Sequence, residues 1–128
     1  MTTVVAALIR RNGRILICRR TATQPHPLKW EFPGGKVEAG ESPPEALRRE
    51  LQEELAVTAR IGNEVERYEF TYPDKKPIQL IFYEVADFDA DPTNRIFDEI
   101  RWVSQGDLPH FDFLEGDVDF VKRLAKNN

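Results

Sequence analysis

Residues Gly34–Val57 read GGKVEAGESPPEALRRELQEELAV and decide how the rest of the chain is understood. The stretch gathers Glu41, Glu45, Glu50, Glu53 and Glu54 beside Arg48 and Arg49. Ser42 stands where a helix cap belongs, Pro43 suits the first helical position, and Glu45 completes an S-x-x-E capping box. Leu47, Leu51 and Leu55 then recur every four residues and form a narrow apolar stripe. Glu50, Glu53 and Glu54 follow at i, i+3 and i+4, so a helix puts the three carboxylates on one face. Like charges so spaced cost a helix a few tenths of a kcal/mol per pair. A positive charge is therefore expected among them, and a divalent metal ion is the natural candidate.

Working outward, the 128 residues suit one domain, 1–128, with a single substantial core. A formal net charge of −4 argues against stable binding along a nucleic-acid backbone, which asks for a basic surface. It leaves open a small anionic substrate, because a bound metal ion reverses the field locally. Cys18 is the single cysteine and sits in the apolar run Arg14–Cys18, where it reads as a core residue rather than a nucleophile. No apolar run approaches the ~20 residues of a membrane span. The amino-terminal residues read as a strand and turn rather than a secretion signal. A reducing, cytoplasmic setting is expected.

Thr3–Ile9 and Arg14–Arg19 flank Asn12-Gly13, a hairpin signal. Thr21–Lys29 reads as a loop, Trp30-Glu31-Phe32 as a short extended piece, and Pro33-Gly34-Gly35 as a turn. Glu64–Tyr72 and Ile78–Val85 read as strands joined by Tyr72–Pro77. Asp87–Asn94 reads as an acidic loop, Ile100–Val103 as a strand, and Ser104–Leu108 as a helical turn. A second amphipathic helix is expected over Glu115–Lys126, with Val118, Val121, Leu124 and Ala125 inward. Strands interleaved with two helices predict an α/β fold, a mixed sheet with helices on its faces.

An oxygen-only ligand set, without clustered His or Cys, points to a hard cation such as Mg²⁺. His26 and His110 lack partners at zinc-ligand spacing. A carboxylate-held metal with open positions suits phosphoryl chemistry. One of three crowded carboxylates with a raised pKa would also suit a general base.

Gly35, Glu41, Arg49, Glu50, Leu51, Glu53, Glu54 and Val57 match the pattern G-x5-E-x7-R-E-U-x-E-E-x-G-U, in which U is apolar. Over residues 35–57 the chain thus resembles the Nudix box. Ala56 is the one departure, at a position where the pattern has glycine and the helix closes. The resemblance extends to the MutT-like branch through Arg19-Arg20, Trp30–Lys36, Arg101-Trp102-Val103 and the last helix. It implies an α/β/α Nudix sandwich and hydrolysis of a nucleoside diphosphate linked to a further group, with Mg²⁺ or Mn²⁺. It places Glu53, Glu54 and the Gly34 carbonyl on the metal, and Glu50 as a further ligand or as the base toward water. It pairs Arg49 with Glu41 to orient helix and loop, and sets Lys36 near the phosphates. Arg20 is expected on phosphate or base, or else as an exposed strand-end charge. The branch often adds an acid before the Trp102 strand. Asp98 and Glu99 are the candidate metal ligands here, with a solvated loop acid as the alternative for both, since the matching position holds Ile96.

For the base, Asp117 falls where MutT-like proteins carry an asparagine that contacts oxidised guanine. Phe82 and Phe113 are candidates for stacking, with core filling as the alternative. The expected activity is conversion of nucleoside triphosphates to monophosphate and pyrophosphate, with 8-oxo-dGTP as the first substrate and a role in nucleotide-pool sanitation and DNA repair. A CTP- or dCTP-preferring pyrophosphohydrolase is the alternative that Asp117 suggests. A non-catalytic nucleotide sensor is a second alternative, disfavoured because all three glutamates are present. The expected partner is a small nucleotide, with no membrane and no stable nucleic acid, and the chain is expected as a monomer or weak homodimer.

Overall fold

The structure, a computed structural model, describes residues 1–127. Its strands are β1 (Thr2–Leu8), β2 (Arg10–Arg11), β3 (Arg14–Arg19), β4 (Trp30–Glu31), β5 (Gly34–Lys36), β6 (Ala59–Phe70), β7 (Ile78–Phe88) and β8 (Glu99–Ser104). Helix α1 (Pro43–Leu55) lies between β5 and β6, and α2 (Glu115–Lys126) follows a 3₁₀ segment at Gln105–His110. One four-stranded sheet runs β5-β1-β7-β6, with β1 and β7 parallel and the other pairs antiparallel. The second runs β2-β3-β4, with β8 on the other side of β3.

The central strands are apolar without alternation because both of their faces are covered. Val5, Ala7, Leu16, Cys18, Ile81 and Tyr83 turn to one side and pack with Leu47, Leu51 and Leu55 of α1. Their neighbours Ala6, Leu8, Ile15, Ile17, Leu80 and Phe82 turn to the other side, against Phe120, Val121 and Leu124 of α2. The α/β/α layering follows from this two-sided burial. Each fully buried leucine of α1 contributes about 2 kcal/mol.

Two readings of the strands are corrected. The Asn12-Gly13 turn is present, with φ of 51° and 76° as a tight hairpin requires. The hairpin itself, however, closes only β2 on the start of β3. Before it, the chain leaves one sheet for the other at Ile9, so β1 pairs with β5 and β7 instead. Pro33-Gly34-Gly35 does not turn the chain alone: Gly34 and Gly35 belong to β5, opposite Ala6 and Val5. Glycine is required there because a Cβ on Gly34 would stand 1.9 Å from the Val5 carbonyl oxygen. The second helix also buries Phe120, which the sequence reading passed over.

Candidate active site

Helix α1 starts as its sequence demands. Ser42 accepts from the Glu45 amide at 3.3 Å, and the Glu45 carboxylate accepts from the Ser42 amide at 2.9 Å. Its packed leucine face holds the adjoining acidic face against β5. Arg49 ties the two together: its Nε and Nη2 donate to the Glu41 carboxylate at 2.7 and 3.1 Å. Nη2 also donates to the Lys36 carbonyl at 3.1 Å, and Nη1 to Glu50 at 2.9 Å. One guanidinium therefore fixes the loop after β5, the helix and the orientation of Glu50.

The three glutamates separate in their surroundings. Glu54 is 7 % exposed and accepts from the Gly34 amide at 3.2 Å. Its carboxyl is raised well above the usual carboxylate range, first by burial, then by hydrogen bonding to and the charge of Glu50, then by Glu31. Glu50 is nearly covered, and a Cβ on Gly35 would lie 2.6 Å from its carboxyl carbon, so glycine there makes room for the acid. Glu53 stays exposed beside Arg49 at 3.4 Å. Among the described residues, no three His, Cys, Asp or Glu side chains converge on one point. Glu50 and Glu54 alone come together.

Of the pair, Glu54 lines a cleft of about 260 Å³. Gly34, Gly35, Lys36 and Glu54 line one end, and Leu114, Tyr72, His26 and Asp117 line the other. Asp117 is 6 % exposed and its side chain makes no hydrogen bond among the described residues. Burial, and then the charge of Glu31, pushes its carboxyl up to about 8 against the opposing pull of Arg20. Arg20 reaches the cleft too, but it is committed: Nη1 donates to Glu31 at 3.2 Å and Nε to the Pro25 carbonyl at 2.8 Å. His26 and Tyr72 lean together at the rim, ring centroids 4.8 Å apart.

Other expected residues lie elsewhere. Phe82 is fully buried, stacked on Phe120 at 3.9 Å, and Phe113 is buried against Phe32 at 5.3 Å. Both fill the core under α2 and do not line the cleft. Asp98 lies 3.6 Å from Arg19, and Glu99 pairs with Arg101 at 2.7 Å, so neither faces Glu54. The nearby positions on the cleft wall are Ile96 and Phe97. Glu31, Gln24, His26 and Tyr72 were not singled out from sequence. For Glu31 a signal existed: Trp30 and Phe32 are core residues, so the residue between them faces the opposite way.

The oxygen-only donors, the glycine-made cradle for Glu50, and a carboxyl pair that repels itself, with Glu54 buried and Glu50 partly so, are what a hard divalent cation relieves. The residues present fit such an ion: Glu50, Glu54 and the Gly34 carbonyl would hold it, with Glu53 exposed on the same helix face.

The fold, the charged face of α1 and the polyphosphate-sized cleft beside it define one class, and comparison with known proteins gives it a name. The NUDIX domain family model matches residues 1–124, and the chain belongs to the Nudix hydrolases. It is 38% identical over 122 residues to the 8-oxo-dGTP diphosphatase of Haemophilus influenzae, covering 94% of this chain and 89% of that protein. It is 34% identical over 122 residues to the CTP pyrophosphohydrolase of Escherichia coli strain K12, covering 95% and 90%. Its structure is similar to the crystal structure of the MutT protein from Methanosarcina mazei Go1, with a TM-score of 0.87 and 29% identity over 99% of this chain and 94% of that one. Hydrolases of this family work with a divalent metal.

Proposed function

We propose that this chain hydrolyses nucleoside triphosphates to the monophosphate and pyrophosphate, with Mg²⁺ as its ion and Mn²⁺ as a substitute. The observation that carries the reading is the Glu50–Glu54 carboxyl pair beside Gly34-Gly35, with Glu54 at one end of a cleft whose other end holds Asp117. The bound ion would neutralise phosphate oxygens and favour hydroxide formation from water. The protein's own parts do the rest. Lys36 attracts the phosphate chain, and Arg49 holds Glu50 in place. Glu50 takes the proton of the attacking water as the anhydride bond between the α- and β-phosphates breaks, giving the monophosphate and pyrophosphate.

Base choice rests on Asp117. With its carboxyl raised to about 8, it is neutral near pH 7 and offers one donor beside one acceptor, as an asparagine amide does. Oxidised guanine presents N7–H next to the O6 acceptor and so matches that pair. Ordinary guanine presents two acceptors there and does not. We favour 8-oxo-dGTP on this ground, with nucleotide-pool sanitation as the role. Cytosine, with its N3 acceptor beside the N4 amino donor, matches the same neutral acid, and this makes a CTP-type substrate the second reading. The names of the relatives, a diphosphatase for one and a CTP pyrophosphohydrolase for the other, support both.

A pyrophosphate-release assay over canonical and oxidised nucleoside triphosphates decides. The sanitation reading expects 8-oxo-dGTP to exceed dGTP in kcat/KM by at least ~10-fold. Equal values for the two, with CTP above both, would move the assignment to cytidine nucleotides. Absence of release from every nucleotide would leave a sensing module.

A further inference from the structure

The cleft does not end at the carboxyl pair. Lys36 lines it and also lines a second, open groove of about 680 Å³. That groove's other walls include Thr2, Thr3, Glu38, Lys76 and Pro77. The sheet explains the meeting. β5 and β7 flank β1 on its two sides, with Lys36 opposite Val4 and Ile78 opposite Thr2. Lys36 at the end of β5 and Lys76 just before β7 therefore stand at one end of the sheet, on either side of β1.

The charges are poised rather than spent. Arg10, Arg11, Arg20, Lys29, Arg67 and Arg123 all sit in ion pairs. Lys36 and Lys76 have no carboxylate within 4.0 Å among the described residues. The one acid in the groove is Glu38, which is exposed and shares Arg49 with Glu41 and Glu50, so two lysines there face a single carboxylate. The groove is thus positive on a chain whose formal net charge is −4.

We propose that this groove is the seat of the pyrophosphate portion of the substrate, with Lys76 as a substrate-positioning residue that grips the terminal phosphate while Lys36 holds the phosphate nearer the carboxyl pair. This rests on the hydrolase reading above. A nucleotide whose base lies by Asp117 and whose cleaved phosphate lies by Glu54 sends the rest of its phosphate chain past Lys36, toward Lys76. The loop that carries Lys76 also carries Tyr72, so one hairpin connection touches the base end and the phosphate end of the substrate. The class taken is a polyphosphate with two phosphates beyond the bond that breaks.

Product inhibition tests it, because the two products occupy different ends. In Lys76→Ala at low ionic strength, the inhibition constant of inorganic pyrophosphate should rise about 5- to 10-fold, while that of the nucleoside monophosphate stays within twofold. Lys76→Arg should restore most of the loss, and Lys122→Ala, on α2 away from the groove, should change neither constant. Unchanged pyrophosphate inhibition in Lys76→Ala, or equal weakening of both products, would overturn the proposal. Calorimetric titration of wild type and Lys76→Ala with magnesium pyrophosphate reads the groove without turnover. Weaker binding there, with no nucleotide cleaved by wild type, would sink the hydrolase reading and keep the anion site. Equal binding would sink the site alone.

Discussion

At Asp117 a carboxylate sits where its own charge is least welcome. The folded protein raises it to about 8 from an ordinary value near 3.8, so the folded state keeps a proton that the unfolded chain releases. Stability from this group is complete below about pH 4 and is lost as pH rises through about 8. Glu31 and Glu54, also raised, act in the same direction. Asp117→Asn should therefore flatten, without abolishing, the fall in Tm between pH 4 and 8, measured by thermal unfolding. The variant should also make the preference for 8-oxo-dGTP over dGTP independent of pH. In wild type that preference should fall about tenfold per pH unit above 8. A wild-type preference that holds to pH 10 would show that the neutral acid is not what reads the base. At this scale the sequence was informative where a pattern fixed the position, as for Arg49 with Glu41 and for Asp117. It was silent where side chains meet from distant positions, as Arg20 and Glu31 do across a loop. Phe82 and Phe113 were misleading, since an aromatic residue near a pocket and one filling the core look alike in sequence.

Helix α1 shows why a local element is readable in advance. Its cap, its leucine stripe and its charged face are all set within a few residues, and each appears in the structure at its expected place. Its end carries a cost. Ala56 closes the helix in the left-handed region, φ 56° and ψ 37°, with its amide donating to the Gln52 carbonyl at 3.1 Å. An L-residue with a Cβ pays about 1 kcal/mol or more in that region, and glycine does not. Ala56→Gly should raise stability by about 1 kcal/mol, roughly 3–6 °C in Tm, with kcat unchanged. A lower Tm would mean that the added freedom of the unfolded chain outweighs the relieved strain. Strand β5 is the opposite case. Pro-Gly-Gly looks like a turn, and only the approach of β1 from residues far away in sequence makes it a strand. Pairing of that kind has no local signature.

Across the whole molecule, the layering was legible because continuous apolar runs at β1, β3 and β7 need cover on both faces. The division into two sheets was not, because it turns on a single residue, Ile9, where the chain changes sheets. That division matters to function. It sets β4 and β5, consecutive in the chain, in different sheets, with Glu31 on one and the Gly34-Gly35 cradle on the other. The cleft runs from the α2 end of the molecule, at Asp117, to the α1 acids, and the lysine groove continues it along the end of the sheet. On the proposed function, the base, the reacting phosphate and the terminal phosphates would each meet a wall supplied by a different element. At their centre stands the Glu50–Glu54 pair on α1, whose mutual repulsion a divalent cation would remove. The most direct test is pyrophosphate release from 8-oxo-dGTP with excess Mg²⁺, by wild type and by Glu54→Gln, each with and without chelator. Turnover by wild type, lost on chelation and reduced by at least ~10²-fold in a folded Glu54→Gln, is the expected result. Turnover that survives chelation, or a Glu54→Gln as active as wild type, would contradict it.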